Sequence, residues 1–240
     1  MAILALGSYI QTHTGFAFGL IVIGLSGALN LMPIPLLALF VSGLSLGNST
    51  TALYGNQQHI HRSLLSWSML GCLPGVVAGV WLLDFMSSEY QNALQLLLGV
   101  CILICGVMMA YQPCAGKQSS PPGVLVAGGA LSGIMGGLFA TFGPALAFVL
   151  YRQPLPLKYI VNSLLAFFWI AAIVRLLIVE FSSGIPTDFF LLTALGLPWI
   201  YLCTMLSKRL PPPITETALR RTAFALLTLA GISVIASGLS

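Results

Sequence analysis

The sequence predicts an all-α integral membrane protein built from two inverted repeats, each a Gly-rich re-entrant helical hairpin (or broken helix) plus three transmembrane helices. Three observations predict it. Only 6% of the 240 residues are charged while 58% are hydrophobic, and the mean hydropathy is +1.00; a soluble domain carries about 25% charged residues. Apolar tracts of single-span length alternate with short polar or Pro-rich breaks, as helices of about twenty residues crossing a bilayer require. The order of features in the first half recurs in the second at an offset of roughly 120 residues, the mark of an internal repeat.

The first repeat is assigned to residues 1–111, with a hairpin over 2–29 and helices over 33–54, 64–83 and 91–111. Residues 112–122, ending in "SSPP", form a linker loop. The second repeat, 123–240, has a hairpin over 123–151 and helices over 159–179, 189–207 and 222–239. "GCLPGVVAGVWL" (71–82) matches "GLPWIYLCTML" (196–206), pairing Pro74 with Pro198, and "QTHTGFAFG" (11–19) falls where "GGALSGIMGGLFATFGP" (128–144) falls later. The N-terminus "MAILALGSY" has no basic segment ahead of its apolar run, so no separate signal peptide is expected.

The hairpins follow from charge and length. If each Gly-rich tract crossed once, Arg62 and Lys117 would lie opposite Arg152, Lys158, Lys208, Arg209, Arg220 and Arg221. If 2–29 and 123–151 each dip in and return, all of these basic residues share one side. Asp84, Glu89, Glu180 and Asp188 then share the other, and only Glu216 joins the basic loops. The excess of Lys and Arg in cytoplasmic loops selects the second arrangement. A helix over 123–151 would be about 43 Å long, generous for one span and too short for two. The expected location is the cell (inner) membrane, multi-pass, with basic loops cytoplasmic and both termini outside.

At each hairpin tip the second limb starts with unpaired N–H groups and the positive end of a helix dipole, which suits an anion. The tips are expected at Thr14-Gly15 and over Gly133 to Gly137, with Gly136 and Gly137 presenting N–H groups to the anion and Thr141 adding a hydroxyl to the same stretch. The alternative is that these glycines only let helices approach closely. Arg175 is the one basic residue deep in an apolar tract, "FFWIAAIVRLLIVE"; it lines a cavity or snorkels to the surface near Glu180. Gln11 and His13 precede the first tip, and Asn48, Ser49, Thr50, Asn162 and Ser163 place polar groups on helices, where they could donate to an anion or serve a hairpin backbone. His59 and His61 fall in a loop.

Several chemistries find no support. The five cysteines, Cys72, Cys101, Cys105, Cys114 and Cys203, form neither a disulfide framework nor a zinc pattern. Cys101 and Cys105 share a helix face, as packing residues or as a sulfur relay. Ser132 stands in "ALSG", without the preceding glycine of an intramembrane serine protease and with no His in a late span as base. No catalytic residue, metal site or cofactor is expected, and the scattered basic residues do not form a nucleic-acid surface.

On "QTHTGFAFGLIVIGL", "LGCLPGVVAGVWLLDFM" and, most specifically, "GGALSGIMGGLFATFGPALAFVLY", the chain resembles the sulfite exporter TauE/SafE family over essentially its whole length. It differs at Ala17, where the family commonly has a second glycine, and at Ile23-Gly24, where a proline is frequent; the chain is also short. The resemblance implies a two-repeat transporter of sulfite, organosulfonates or related sulfur-containing or carboxylate anions. The reading is a secondary transporter working by alternating access. An anion channel with the same cavity is the alternative, and a membrane assembly factor a third. Expected partners are a small anionic substrate, the lipid bilayer and a coupling proton or cation; a homodimer is compatible with such a chain. The charge split predicts that a cysteine placed at position 153 resists a reagent confined to the outside; reaction there overturns the hairpin arrangement.

Overall fold

A computed structural model describes residues 1–14, 16–29, 31–110, 119–209, 225 and 228–236. All of its regular structure is helical: α1 (Ala2–Thr14), α2 (Phe18–Ala28), α3 (Ile34–Leu53), α4 (Arg62–Glu89), α5 (Gln91–Ala110), α6 (Pro122–Phe139), α7 (Gly143–Leu150), α8 (Leu157–Ser182) and α9 (Thr187–Arg209), then a helical stretch over 228–236. Among the described residues there is no strand. Five helices, α3, α4, α6, α8 and α9, are long and apolar enough to cross a bilayer. Exposed Trp81, Phe181, Phe190, Leu195 and Leu202 are outward-facing apolar side chains of the kind lipid solvates. The chain is an all-α membrane protein.

Two helix pairs fold back on themselves. A Cβ built on Gly7 would lie 3.1 Å from Phe18 Cδ2 and 3.3 Å from Val22 Cγ2, so α2 returns along α1. A Cβ on Gly128 would lie 3.0 Å from Val149 Cγ2, so α7 returns along α6. Ser120 N–H donates to Gln153 Oε1 at 3.0 Å, so this second pair ends beside where it begins. Gln153 itself is buried. Arg152 next to it is exposed, which makes position 152 the one to label from either side.

The glycines of the second stretch act differently from their expected place at the tip. The break falls at Ala140–Phe142, after the end of α6, and Gly133, Gly136 and Gly137 are helical residues of α6. The reason lies on α4. Gly71, Gly75 and Gly79 repeat every four residues there, and Gly129, Gly133 and Gly137 do the same on α6. A Cβ on Gly75 would stand 2.5 Å from Ala130 O, one on Gly133 2.5 Å from Cys72 O, and one on Gly137 2.6 Å from Val76 O. Facing residues rise together along both helices, so α4 and α6 run parallel with backbones in contact, as small residues spaced by four allow. Gly136 faces the other way and leaves room for the Phe142 ring.

Two expected loops are shorter than their polar residues imply. α4 runs through Pro74 and "DFMSSE" to Glu89, and α8 runs on to Ser182. Serine hydroxyls there satisfy the local backbone: Ser87 and Ser88 donate to the carbonyls of Asp84 and Phe85, and Ser182 to that of Ile178. Residues 111–118 and 210–224, which hold Lys117, Arg220, Arg221 and Glu216, lie outside the described residues.

The α4–α6 contact has no spare volume. Gly75→Leu should therefore destabilise the protein by at least about 1–3 kcal/mol, read as a lower midpoint for thermal unfolding in detergent. An unchanged midpoint would show that the two backbones do not touch.

Candidate functional site

Both breaks are made by alanines in the left-handed region. Ala17, the N-cap of α2, has φ 87°; Ala140, the C-cap of α6, has φ 54°. A side chain in this region costs roughly 1–2 kcal/mol per residue, so the surroundings must hold both turns in place. At Ala17 this is the position where the resemblance leads one to expect glycine.

The surroundings do so with hydrogen bonds. Thr14 Oγ1 lies 2.7 Å from Ile10 O and 2.9 Å from Phe16 O, closing the first tip from within. Tyr151 O–H donates to Thr14 O at 2.6 Å, and its ring packs edge-on to Phe16. In the second tip, Ser132 O–H donates to Phe142 O, Ala140 N–H to Gly136 O at 2.8 Å, and Thr141 O–H to Met135 O at 3.3 Å.

The two tips touch each other. A Cβ on Gly19 would lie 2.5 Å from Ala140 O, and one on Gly143 would lie 3.1 Å from Phe16 Cβ. Between them is a cavity of about 10 Å³, bounded by Gln11, Gly19, Ser45, Thr141, Gly143 and Phe168 among others. Ser45 and Phe168 lie near the middles of α3 and α8, so the cavity is deep inside the helix assembly. Gly19 and Gly143 belong to the first turns of α2 and α7, where N–H groups lack intrahelical acceptors and the dipole is positive. The volume is that of about one water molecule; anything larger fits only if the tips part. A cavity of about 600 Å³ at the α2–α3 connection, bounded by Met32, Pro33, Ser87 and Gln95, contains none of the tip backbone. The smaller cavity is therefore the candidate site.

Arg175 is fully buried and does not reach the surface. Its Nε donates to Gly137 O at 3.1 Å, and its Nη1 to Ala38 O at 3.3 Å and Ser42 Oγ at 3.0 Å. Gly137 O is one of the last-turn carbonyls of α6, so the cation caps the negative end of that helix just before the break. Nη2 is buried with no partner among the described residues. Ser42 precedes Ser45 on α3, and Gly137 precedes Ala140 on α6, by three residues each. The guanidinium is thus about one turn from cavity-lining residues on two helices.

The other expected residues divide. Gln11 and Thr141 border the cavity. Gln11 Nε2 also donates to Ser49 Oγ at 3.2 Å. Asn48 Oδ1 accepts from Thr204 O–H at 2.6 Å and Ser8 O–H at 3.2 Å. His13 packs edge-on to Tyr9. Asn162 Nδ2 donates to Lys158 O within its own helix, and Ser163 accepts from His61 N–H, both away from the cavity lining. Gly133 and Gly137 face α4, and Gly136 faces Phe142. Gly15 lies outside the described residues. Ala17 and Ala140 carry no sequence signal for a turn, because alanine is the best helix former. Ser8 and Thr204 read as isolated small polar residues until folding joins them.

A sequence model of the family described as sulfite exporter TauE/SafE matches residues 1–234. The chain belongs to that family. This TauE/SafE protein is also similar to the probable sulfite/organosulfonate exporter TauE of Cupriavidus necator, with 36% identity over 239 residues covering 100% of this chain and 93% of the relative. No solved structure matches it. As a TauE/SafE protein the chain is a membrane transporter and not an enzyme. If Arg175 serves the anion as well as α6, Arg175→Lys should fold yet lose transport by about tenfold or more, because an ammonium cannot reproduce the planar fork. Full transport in that variant would leave Arg175 as a helix cap alone.

Proposed function

We propose that this protein is a secondary transporter of a small oxyanion, sulfite or an organosulfonate, that binds between the two hairpin tips. The meeting of the first turns of α2 and α7 at one deep cavity carries the reading. Two positive helix ends and their N–H groups replace the hydration an anion loses on entering hydrocarbon. The similarity to the probable sulfite/organosulfonate exporter TauE of Cupriavidus necator supports the substrate class.

Alternating access between oppositely oriented halves is the proposed mechanism. The run of contacts between the corresponding helices α3 and α8 supports it. Arg175 meets Ala38 and Ser42, whereas Trp169 Nε1 donates to Thr50 Oγ1. α3 and α8 therefore run antiparallel, as equivalent helices of inverted repeats do. The cavity's size supports a carrier over an open channel, since nothing larger than water fits without movement. In this reading the basic loops are cytoplasmic, and a proton or cation supplies the coupling.

Counterflow tests it. Proteoliposomes loaded with unlabelled sulfite should transiently accumulate radiolabelled sulfite above equilibrium. Flux without that overshoot marks a channel, and no flux of sulfite or of any organosulfonate removes the substrate assignment.

A further inference from the structure

We propose that the anion passes between the tip cavity and the basic face through the seam of α1, α3 and α9, past Ser49, Asn48, Ser8 and Thr204. The seam opens by movement of the α1–α2 hairpin, while the α6–α7 hairpin stays fixed on α4. This rests on the transporter reading above.

The seam is a continuous polar line in an apolar interior. It begins at Gln11, which borders the cavity and donates to Ser49. Asn48, adjacent in sequence, joins Ser8 and Thr204, whose hydroxyl oxygens are 2.7 Å apart. Ser8, Asn48, Ser49 and Thr204 are all fully buried at 0% exposure. One turn beyond Thr204, Lys208 Nζ donates to Thr51 O and Tyr54 O at the end of α3. A small anion leaving the cavity therefore meets hydroxyls and amides and then a cation.

Asn48 supplies the second observation. Its Nδ2 is buried with no acceptor among the described residues. A buried donor left unmade costs about 1–3 kcal/mol, which a passing oxyanion relieves. A cluster serving only to hold helices together gains nothing from that orphan.

The two hairpins differ in how they are held. α6 meets α4 backbone to backbone at Gly75, Gly133 and Gly137, so no anion passes between them and neither helix slides without collision. α1 and the residue before it meet α9 through bonds that each use at least one side chain: the Ser8–Thr204 pair and the bond from the Trp199 indole N–H to the Met1 carbonyl. Side-chain hydrogen bonds of this kind can be replaced by bonds to water or an anion without moving one backbone through another.

Thiol reactivity reads which interface opens. Ser8→Cys is made in the otherwise native chain, in proteoliposomes, and modified with N-ethylmaleimide, which reacts with hydrated thiolate. Native Cys72, fully buried at the α4–α6 contact, is the internal reference, and peptide mass spectrometry follows each thiol separately. Position 8 should react at least about tenfold faster than Cys72, as expected of an interface that opens locally. Modified Ser8→Cys should lose transport of radiolabelled sulfite, while treated wild type keeps it. Ser49→Cys is the second variant should the first not fold. If a folded, transporting variant reacts no faster than Cys72, or transports normally once modified, the passage is overturned and the transporter reading stands. If wild type moves neither sulfite nor an organosulfonate, that reading fails first and the passage with it.

Discussion

Two chain reversals deep inside the helix assembly impose the condition that the rest of the structure meets. Each reversal interrupts a helix and frees backbone groups that lipid cannot satisfy, at several kcal/mol apiece. The protein answers from other elements. Tyr151 closes Thr14 O, Ser132 closes Phe142 O, and Arg175 closes Gly137 O. The donors come from the residue after α7, from α6 and from α8, so each turn is held by at least one element outside itself or by the opposite limb. First-turn residues Gly19 of α2 and Gly143 of α7 border the cavity, where the proposed anion would be the acceptor for N–H groups without an intrahelical partner.

Arg175 shows how one residue serves both stability and function. Burying a lone guanidinium is costly unless it is hydrogen-bonded. Here three acceptors from α3 and α6 surround it. They fix the end of α6 relative to α3 and α8, which fixes Ala140 and with it one wall of the cavity. The remaining Nη2 has no partner among the described residues.

The glycine repeats give the assembly its asymmetry. Backbone contact along α4 and α6 gains dispersion over many atoms and excludes both water and lipid. α1 and α9 instead meet through hydroxyls and an indole. The same inventory of small and polar residues thus joins one interface backbone to backbone and the other through side-chain hydrogen bonds.

Much was legible before folding. Composition placed the chain in the membrane, because 6% charged residues cannot solvate a surface. "GGALSGIMGGLFATFGP" marked the family, and the isolated charge of Arg175 marked a residue needing special surroundings. The tips were not legible in detail. Glycine advertises both turning and close packing, and only the presence of Gly71, Gly75 and Gly79 on the neighbouring helix decides for packing at Gly133 and Gly137. The turn passed to Ala140, whose local preference is helical, because contacts from distant parts of the chain outweigh about 1–2 kcal/mol of backbone strain. The sequence by itself determined that helices must cross lipid and that polar groups among them need partners, since water is absent there. Which partners they found, Ser8 with Thr204 or Arg175 with Gly137, only the tertiary structure decided, because those pairs lie 196 and 38 residues apart and no local pattern encodes them.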